Sequence, residues 1–154
     1  MAVIVFITAI FISFKVNYPR KYNNYVSKYA KEYNLEKSLV FAIINVESSF
    51  DKNAKSRVGA IGLMQIMPST AEFIAKELDI ANYDMFNAEQ NIKFGCFYLN
   101  YLLSKFNNLQ YAIYAYNCGE GRLKRYFNGE SLPKETIKYY KKVIGVKRVY
   151  KIIV

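Results

Sequence analysis

The nine residues from Ser38 to Val46 carry no charge and almost no polarity, running through Leu39, Val40, Phe41, Ala42, Ile43 and Ile44. A helix that is apolar on nearly every side has no face to offer water, so it must lie at the centre of a fold and be wrapped by other elements. Glu47 follows immediately and is therefore carried at the end of a buried helix. No stretch alternates apolar and polar residues long enough to make a useful strand, so the wrapping elements are helices as well. At 154 residues the chain suffices for one such unit and is too short for two well-packed ones. The expected fold class is all-α.

Start and stop signals divide the remainder. Pro19 suits the first turn of a helix to about Tyr33, with Tyr22, Tyr25, Tyr29 and Tyr33 on one face as core or interface. Residues 51 to 62 combine turn formers with charges and read as an exposed loop. Pro68 opens a helix to about Leu78. Asn87 with Gln90 resembles a capping box before a long helix to about Phe106. Leu109 to Tyr116 forms another, ended by Gly119 and Gly121. The tail from Lys134 begins helical, and its β-branched end, Arg148 to Val154, is expected to fray or extend.

The N-terminus has a different character. Ala2 to Phe14 is apolar apart from Thr8 and Ser13, and Lys15 follows at once. As a helix, Met1 to Phe14 would reach roughly 21 Å, short of a hydrocarbon layer of roughly 30 Å. Lys15 can snorkel, and Val16 and Tyr18 can lengthen the span. A basic leader and an A-x-A cleavage site are both missing, which favours an uncleaved anchor over a signal peptide. The expected division is an anchor or signal segment over 1–16 and one domain over 20–154, which the resemblance described below makes a catalytic domain.

The formal charge of +10 suits a polyanionic partner, be it nucleic acid, anionic lipid or a cell wall. The lysines are scattered rather than blocked, so a solvated basic surface explains them equally well. An exported N-terminus opposes a nucleic-acid partner. Cys96 and Cys118 have no ligand-like spacing and read as small buried apolar residues. The chain contains no histidine, which excludes Ser-His and Cys-His nucleophiles and HExxH zinc sites. Glycine-rich phosphate loops are absent too. Any catalysis falls to carboxylates.

Most acidic residues have a helical-surface setting or a cation beside them, the latter as Glu32, Glu36, Asp51, Glu77 and Glu135 do. Glu47 is the exception. Burial and the negative pole of its helix both disfavour its charged form, and a carboxyl held neutral near pH 7 is what a general acid requires. Taken alone, a buried glutamate paired with Lys or Arg is the more natural account.

Glu47-Ser48-Ser49-Phe50, then Ser56, then the run Gly59-Ala60-Ile61-Gly62-Leu63-Met64-Gln65-Ile66-Met67-Pro68 closely resembles the signature of the soluble lytic transglycosylase family. Asn91-Ile92 with Gly95 and Tyr98-Leu99, Ala115-Tyr116-Asn117 with Gly119, and Pro133 with Glu135-Thr136, Tyr139 and Val143 follow in the same order. Cys118 and Glu120 depart from the pattern, which touches loop geometry rather than catalytic class.

The resemblance implies a lysozyme-like, mainly helical domain with a cleft past the end of the glutamate helix. It makes Glu47 the acid and base that cleaves between N-acetylmuramic acid and N-acetylglucosamine, with a 1,6-anhydro ring as product. It places Ser56, Gln65 and Met67 on one wall, Ala115, Tyr116 and Asn117 on the facing side, and Glu135 toward the substrate. Glycines 59 and 62 are expected to let backbone approach a sugar, and Gln65 to offer donor and acceptor to an N-acetyl group. No metal or organic cofactor is expected. The partners expected are peptidoglycan strands and, through the N-terminus, the cytoplasmic membrane; the domain would act outside the cytoplasm as a monomer, secreted if the segment is cleaved. Rival readings are a hydrolytic muramidase of similar fold, with Asp51, Glu120 or Glu135 as second carboxylate, and a non-catalytic wall-binding module.

Overall fold

A computed structural model describes residues 17–154. The expected anchor, residues 1–16, lies outside the described residues. Among these, seven helices follow one another: α1 (Asn23–Glu32), α2 (Lys37–Ser48), α3 (Pro68–Glu77), α4 (Ala88–Phe106), α5 (Leu109–Cys118), α6 (Glu120–Phe127) and α7 (Lys134–Ile153). No helix of the described residues is long and apolar enough to cross a membrane.

The apolar run does form the central helix. From Ser38 to Ile44 every residue of α2 is buried, enclosed chiefly by α7 and α1. Helix α7 lies antiparallel to α2. The Phe41 and Tyr150 rings stack at 5.1 Å near the start of α2 and the end of α7, whereas Tyr139 meets Glu47 at the other end. The tyrosines of α1 face this core, with Tyr29 buried and Tyr22, Tyr25 and Tyr33 packed against it.

Several boundaries differ from those expected. Pro19 precedes α1 rather than opening it; its carbonyl instead accepts from the Tyr150 hydroxyl at 2.8 Å. That bond and the burial of Tyr150 hold the β-branched end of α7 helical to Ile153, where the sequence left fraying or extension open. Gly121 does not end a helix. Gly119, at φ +80°, ends α5, and the chain enters the short α6 at once, with Gly121 inside it. The Asn87 cap forms only half its box: its side chain accepts from the Gln90 amide, while the Gln90 side chain accepts from Asp84 instead.

Between α2 and α3 the loop is exposed over much of its length but not throughout, because Ala60 and Gly62 are buried. Two isolated antiparallel bridges, Lys55 with Ile61 and Ile61 with Ile66, fold it on itself. The buried Asn91 of α4 then pins it: Oδ1 accepts from the Met64 amide at 2.8 Å, and Nδ2 donates to the carbonyls of Ile61 and Met85, both at 2.9 Å. Gly62 is required by this arrangement, since a Cβ there would stand 2.2 Å from Asn91 Nδ2.

Candidate active site

Glu47 occupies the last turn of α2, where the helix opens to a cavity. The chain turns away sharply just beyond it. Ser49 and Phe50 both take left-handed backbone, at φ +51° and +65°, and such strain in a non-glycine pair persists only where surrounding packing enforces it. Burial of the Phe50 ring and the 2.8 Å bond from Ser48 Oγ to the Leu63 carbonyl supply that enforcement.

The Glu47 carboxyl is half-buried. The Tyr139 hydroxyl donates to its Oε1 at 2.5 Å, which leaves Oε2 without a partner among the described residues. Removal from water pushes its pKa from the ordinary 4.5 up to about 7, and the Tyr139 bond and the Lys142 charge hold it from rising further. Burial raises the Tyr139 pKa well above the usual range, so this phenol stays a donor and orients the carboxyl. The pairing of Glu47 with Lys or Arg that its sequence also allowed is not the arrangement found.

Three cavities share Asn117 and run together as one cleft. One, of about 300 Å³, is walled by Gln65, Met67, Thr70, Tyr98, Tyr116 and Cys118. A second, of about 330 Å³, lies toward Arg122, Arg125, Glu135 and Thr136. A third, of about 320 Å³, holds Glu47 with Glu135, Lys138, Tyr139 and Lys142. The cleft thus passes the end of the glutamate helix.

Gln65, Met67, Tyr116, Asn117 and Glu135 line this cleft together with Glu47. Gln65 reaches it by a left-handed backbone, but its Nε2 already donates to the carbonyls of Ala54 and Gly62, so only its amide oxygen remains for a ligand. Met67 is 37% exposed at the start of α3. Tyr116 donates its hydroxyl to the Met64 carbonyl at 2.9 Å, and Asn117 accepts from Thr136 at 2.9 Å, joining α5 to α7.

Other expected site residues stand elsewhere. Ala115 is fully buried against the core and cannot contact substrate; its place is packing within α5. Ser56 is not among the lining residues, and its Oγ accepts from the Ala60 amide within the loop. Neither glycine approaches the cleft, because Gly59 sits in an open turn and Gly62 faces Asn91. Cys96 is buried as expected, whereas Cys118 is half-buried and reaches the cleft wall. Asp51 is exposed and accepts from the Asn53 amide, and Glu120 is bound to Lys105.

Tyr139 is the site residue for which sequence reasoning named no role. Its approach to Glu47 spans 92 positions, and the signals that mark it are its place in the family pattern with Glu135-Thr136 and Val143 and its position four residues before Val143 on the buried face of α7. Tyr139→Phe is expected to raise the Glu47 pKa, since a bond favouring the charged form is removed. The ionisation of Glu47, followed as a pH-dependent step in stability or activity, should move to higher pH by roughly one unit; a lower value would contradict this arrangement.

The family profile described as Transglycosylase SLT domain matches residues 24–138. The chain is 34% identical over 151 residues to the soluble lytic murein transglycosylase of Escherichia coli K12, a match covering 87% of this chain and 23% of that protein. It is 38% identical over 124 residues to the membrane-bound lytic murein transglycosylase C of Haemophilus ducreyi, covering 72% and 34% respectively. The structure of an inactive glutamate-to-glutamine mutant of lytic transglycosylase Slt from Pseudomonas aeruginosa superposes with a TM-score of 0.82 at 30% identity, covering 89% of this chain and 25% of that one. A complex of the 70-kDa soluble lytic transglycosylase with bulgecin A gives the same TM-score at 31% identity. The mainly helical architecture is therefore the lysozyme-like one, and the chain spans only a minor part of the length of the relatives it matches.

Proposed function

This chain belongs to the transglycosylase SLT domain family, and from that premise we propose that it is a peptidoglycan lytic transglycosylase with Glu47 as its single acid and base. The observation that carries the reading is a carboxyl with a pKa of about 7, one oxygen held by Tyr139 and the other unpartnered, at the wall of a continuous cleft.

Neutral Glu47 gives its proton to the oxygen joining N-acetylmuramic acid to N-acetylglucosamine, and the C1–O bond breaks through an oxocarbenium-like state. Tyr116, its own proton committed to the Met64 carbonyl, presents an electron-rich oxygen and ring to the developing charge. Charged Glu47 then takes the proton from the muramic acid O6 as that oxygen bonds to C1 and closes the anhydro ring. The nucleophile is tethered to its target, so effective concentration replaces a positioned water. Proton count is restored, and Glu47 is ready for another cycle.

Glu135 is the observation that favours a hydrolytic muramidase as the second reading, being the one of three candidate carboxylates that lines the cavity with Glu47. Product mass separates the two, because anhydro-ended fragments are lighter by one water than muramidase fragments.

The domain acts outside the cytoplasm in this reading, held at the membrane by residues 1–16, an arrangement supported by the apolar run of Ala2 to Phe14. Deleting Met1 to Lys15 should yield an active domain soluble without detergent. A truncated chain that fails to fold, beside a full-length chain soluble without detergent, would make the segment part of the core.

A further inference from the structure

The two ends of α2 open onto different surroundings. Glu47 faces the cleft, whereas Lys37, ten residues earlier and so about 15 Å away along the helix axis, faces a separate cavity of about 460 Å³. Arg20, Asn23, Ile153 and Val154 line that cavity with it. The Arg20 guanidinium donates to the Ile153 carbonyl at 2.9 Å, which ties the segment before α1 to the end of α7, yet Arg20 stays exposed with further N–H groups to offer. Lys147 and Lys151 stand one turn apart on the last part of α7. The carboxylate set against them is Glu36, which Lys147 binds at 2.8 Å and, with the Lys151 charge nearby, keeps below its ordinary pKa. Arg20, Lys37, Lys147 and Lys151 thus outnumber it. Beside this charge the surface is apolar, with Ile152 85% and Val154 39% exposed.

One exposed apolar side chain needs no explanation by itself. Set among cations at the end of a helix, it makes the combination that a layer of anionic lipid accommodates, with the apolar group in the interface and the cations at the phosphates. The chain outside the described residues leads to the same place. Residues 1–16 join the domain at Asn17, whose carbonyl accepts from Asn45, and Arg20 follows within three residues, at most about 11 Å of chain. We infer that this end of the domain is a membrane-docking surface for anionic phospholipid, in which Arg20, Lys37 and Lys151 meet headgroup phosphates and Ile152 enters the interface. The inference rests on the membrane-anchored reading of residues 1–16 and adds what the folded domain itself does at the bilayer. Its consequence is orientation. Glu47 and its cavity lie at the other end of α2, so docking turns the cleft away from the lipid.

The test keeps the full chain, reconstituted in nanodiscs of phosphatidylcholine alone or of phosphatidylcholine with phosphatidylglycerol, and reads lysine acylation residue by residue with mass spectrometry. The anchor is common to both discs, so a difference between them belongs to the domain surface. Lys37 and Lys151 should react about fivefold more slowly or less in the anionic discs, an effect that high salt removes. Lys55, in the loop beyond Glu47, and Lys124 on α6 should react alike in both. Arg20→Gln with Ile152→Gln should abolish most of the protection, and Arg20→Lys should keep it. Equal rates at Lys37 and Lys151 in the two discs, the same slowing at all four lysines, or full protection in the double variant overturns the inference and leaves the anchor in place. Slowing by soluble poly(glycerol phosphate) in zwitterionic discs but not by anionic discs overturns it too, and assigns the surface to a wall polyanion. A chain that stays with neither disc overturns the anchored reading and this inference together, while its action on peptidoglycan still tests the transglycosylase reading.

Discussion

Glu47→Gln is expected to fold normally and to lose cleavage by a factor on the order of 10² to 10⁴. The amide keeps the shape of the side chain and can still accept from Tyr139, but it can neither give a proton to the leaving oxygen nor take one from O6. The same substitution carries a stability signature that a passive glutamate would not. Because the pKa of Glu47 is raised from 4.5 to about 7 in the folded chain, the folded state holds the proton more tightly than the unfolded state. Below about pH 4.5 both states are protonated and nothing is lost. Between 4.5 and 7 the wild-type chain gives up stability as it binds fewer protons, and above 7 the loss is complete, about 1 to 3 kcal/mol. Glu47→Gln should therefore match wild type near pH 4 and exceed it near pH 8, as measured by denaturant unfolding at both values. A variant less stable than wild type at pH 8 would mean that the carboxylate is favourably paired after all.

Gly62→Ala is expected to cost about 3 to 5 kcal/mol, a fall in Tm of about 10 °C or more. Two penalties combine there. The residue sits at φ +79°, and its new methyl would meet Asn91 Nδ2 at 2.2 Å and the Met85 carbonyl at 2.5 Å. Relief requires Asn91 to move, which leaves the Met85 carbonyl and the Met64 amide short of partners in the interior, whereas the Ile61 carbonyl still accepts from the Ile66 amide. Gly59→Ala makes the control, since φ is +93° but nothing lies within 4 Å. It should cost only the backbone strain, about 1 to 2 kcal/mol. Equal effects at the two glycines would show that the Asn91 clamp does not hold the loop.

The elements most legible in the sequence are those whose reasons are local. The burial of α2 follows from the apolar run of Ser38 to Ile44, the start of α3 from Pro68, and the start of α4 from the Asn87 side chain. Local reasoning fails where a distant partner decides. Gly121 reads as a terminator, yet it lies inside α6, a strongly polar helix whose single buried residue, Leu123, leaves little apolar pattern to detect. The end of α7 reads as loosely held because Tyr150 cannot announce its contacts with Phe41 and Pro19. Within the site, the raised pKa of Glu47 was foreseeable from its helix, but the strained Ser49-Phe50 turn was not, since neither residue type signals left-handed backbone. Ala115 was misplaced for a related reason: it adjoins two cleft residues in sequence, but one position around a helix turns a side chain by about 100° into the core.

Digestion of purified peptidoglycan in oxygen-18 water, read by mass spectrometry, tests most directly the claim that Glu47 works alone and that the substrate supplies its own nucleophile. The account predicts fragments ending in anhydro-muramic residues, lighter by one water than muramidase fragments and free of label. Label at C1 of a reducing end would contradict it, for water would then be the attacking group and Glu135, across the same cavity, the carboxylate to examine.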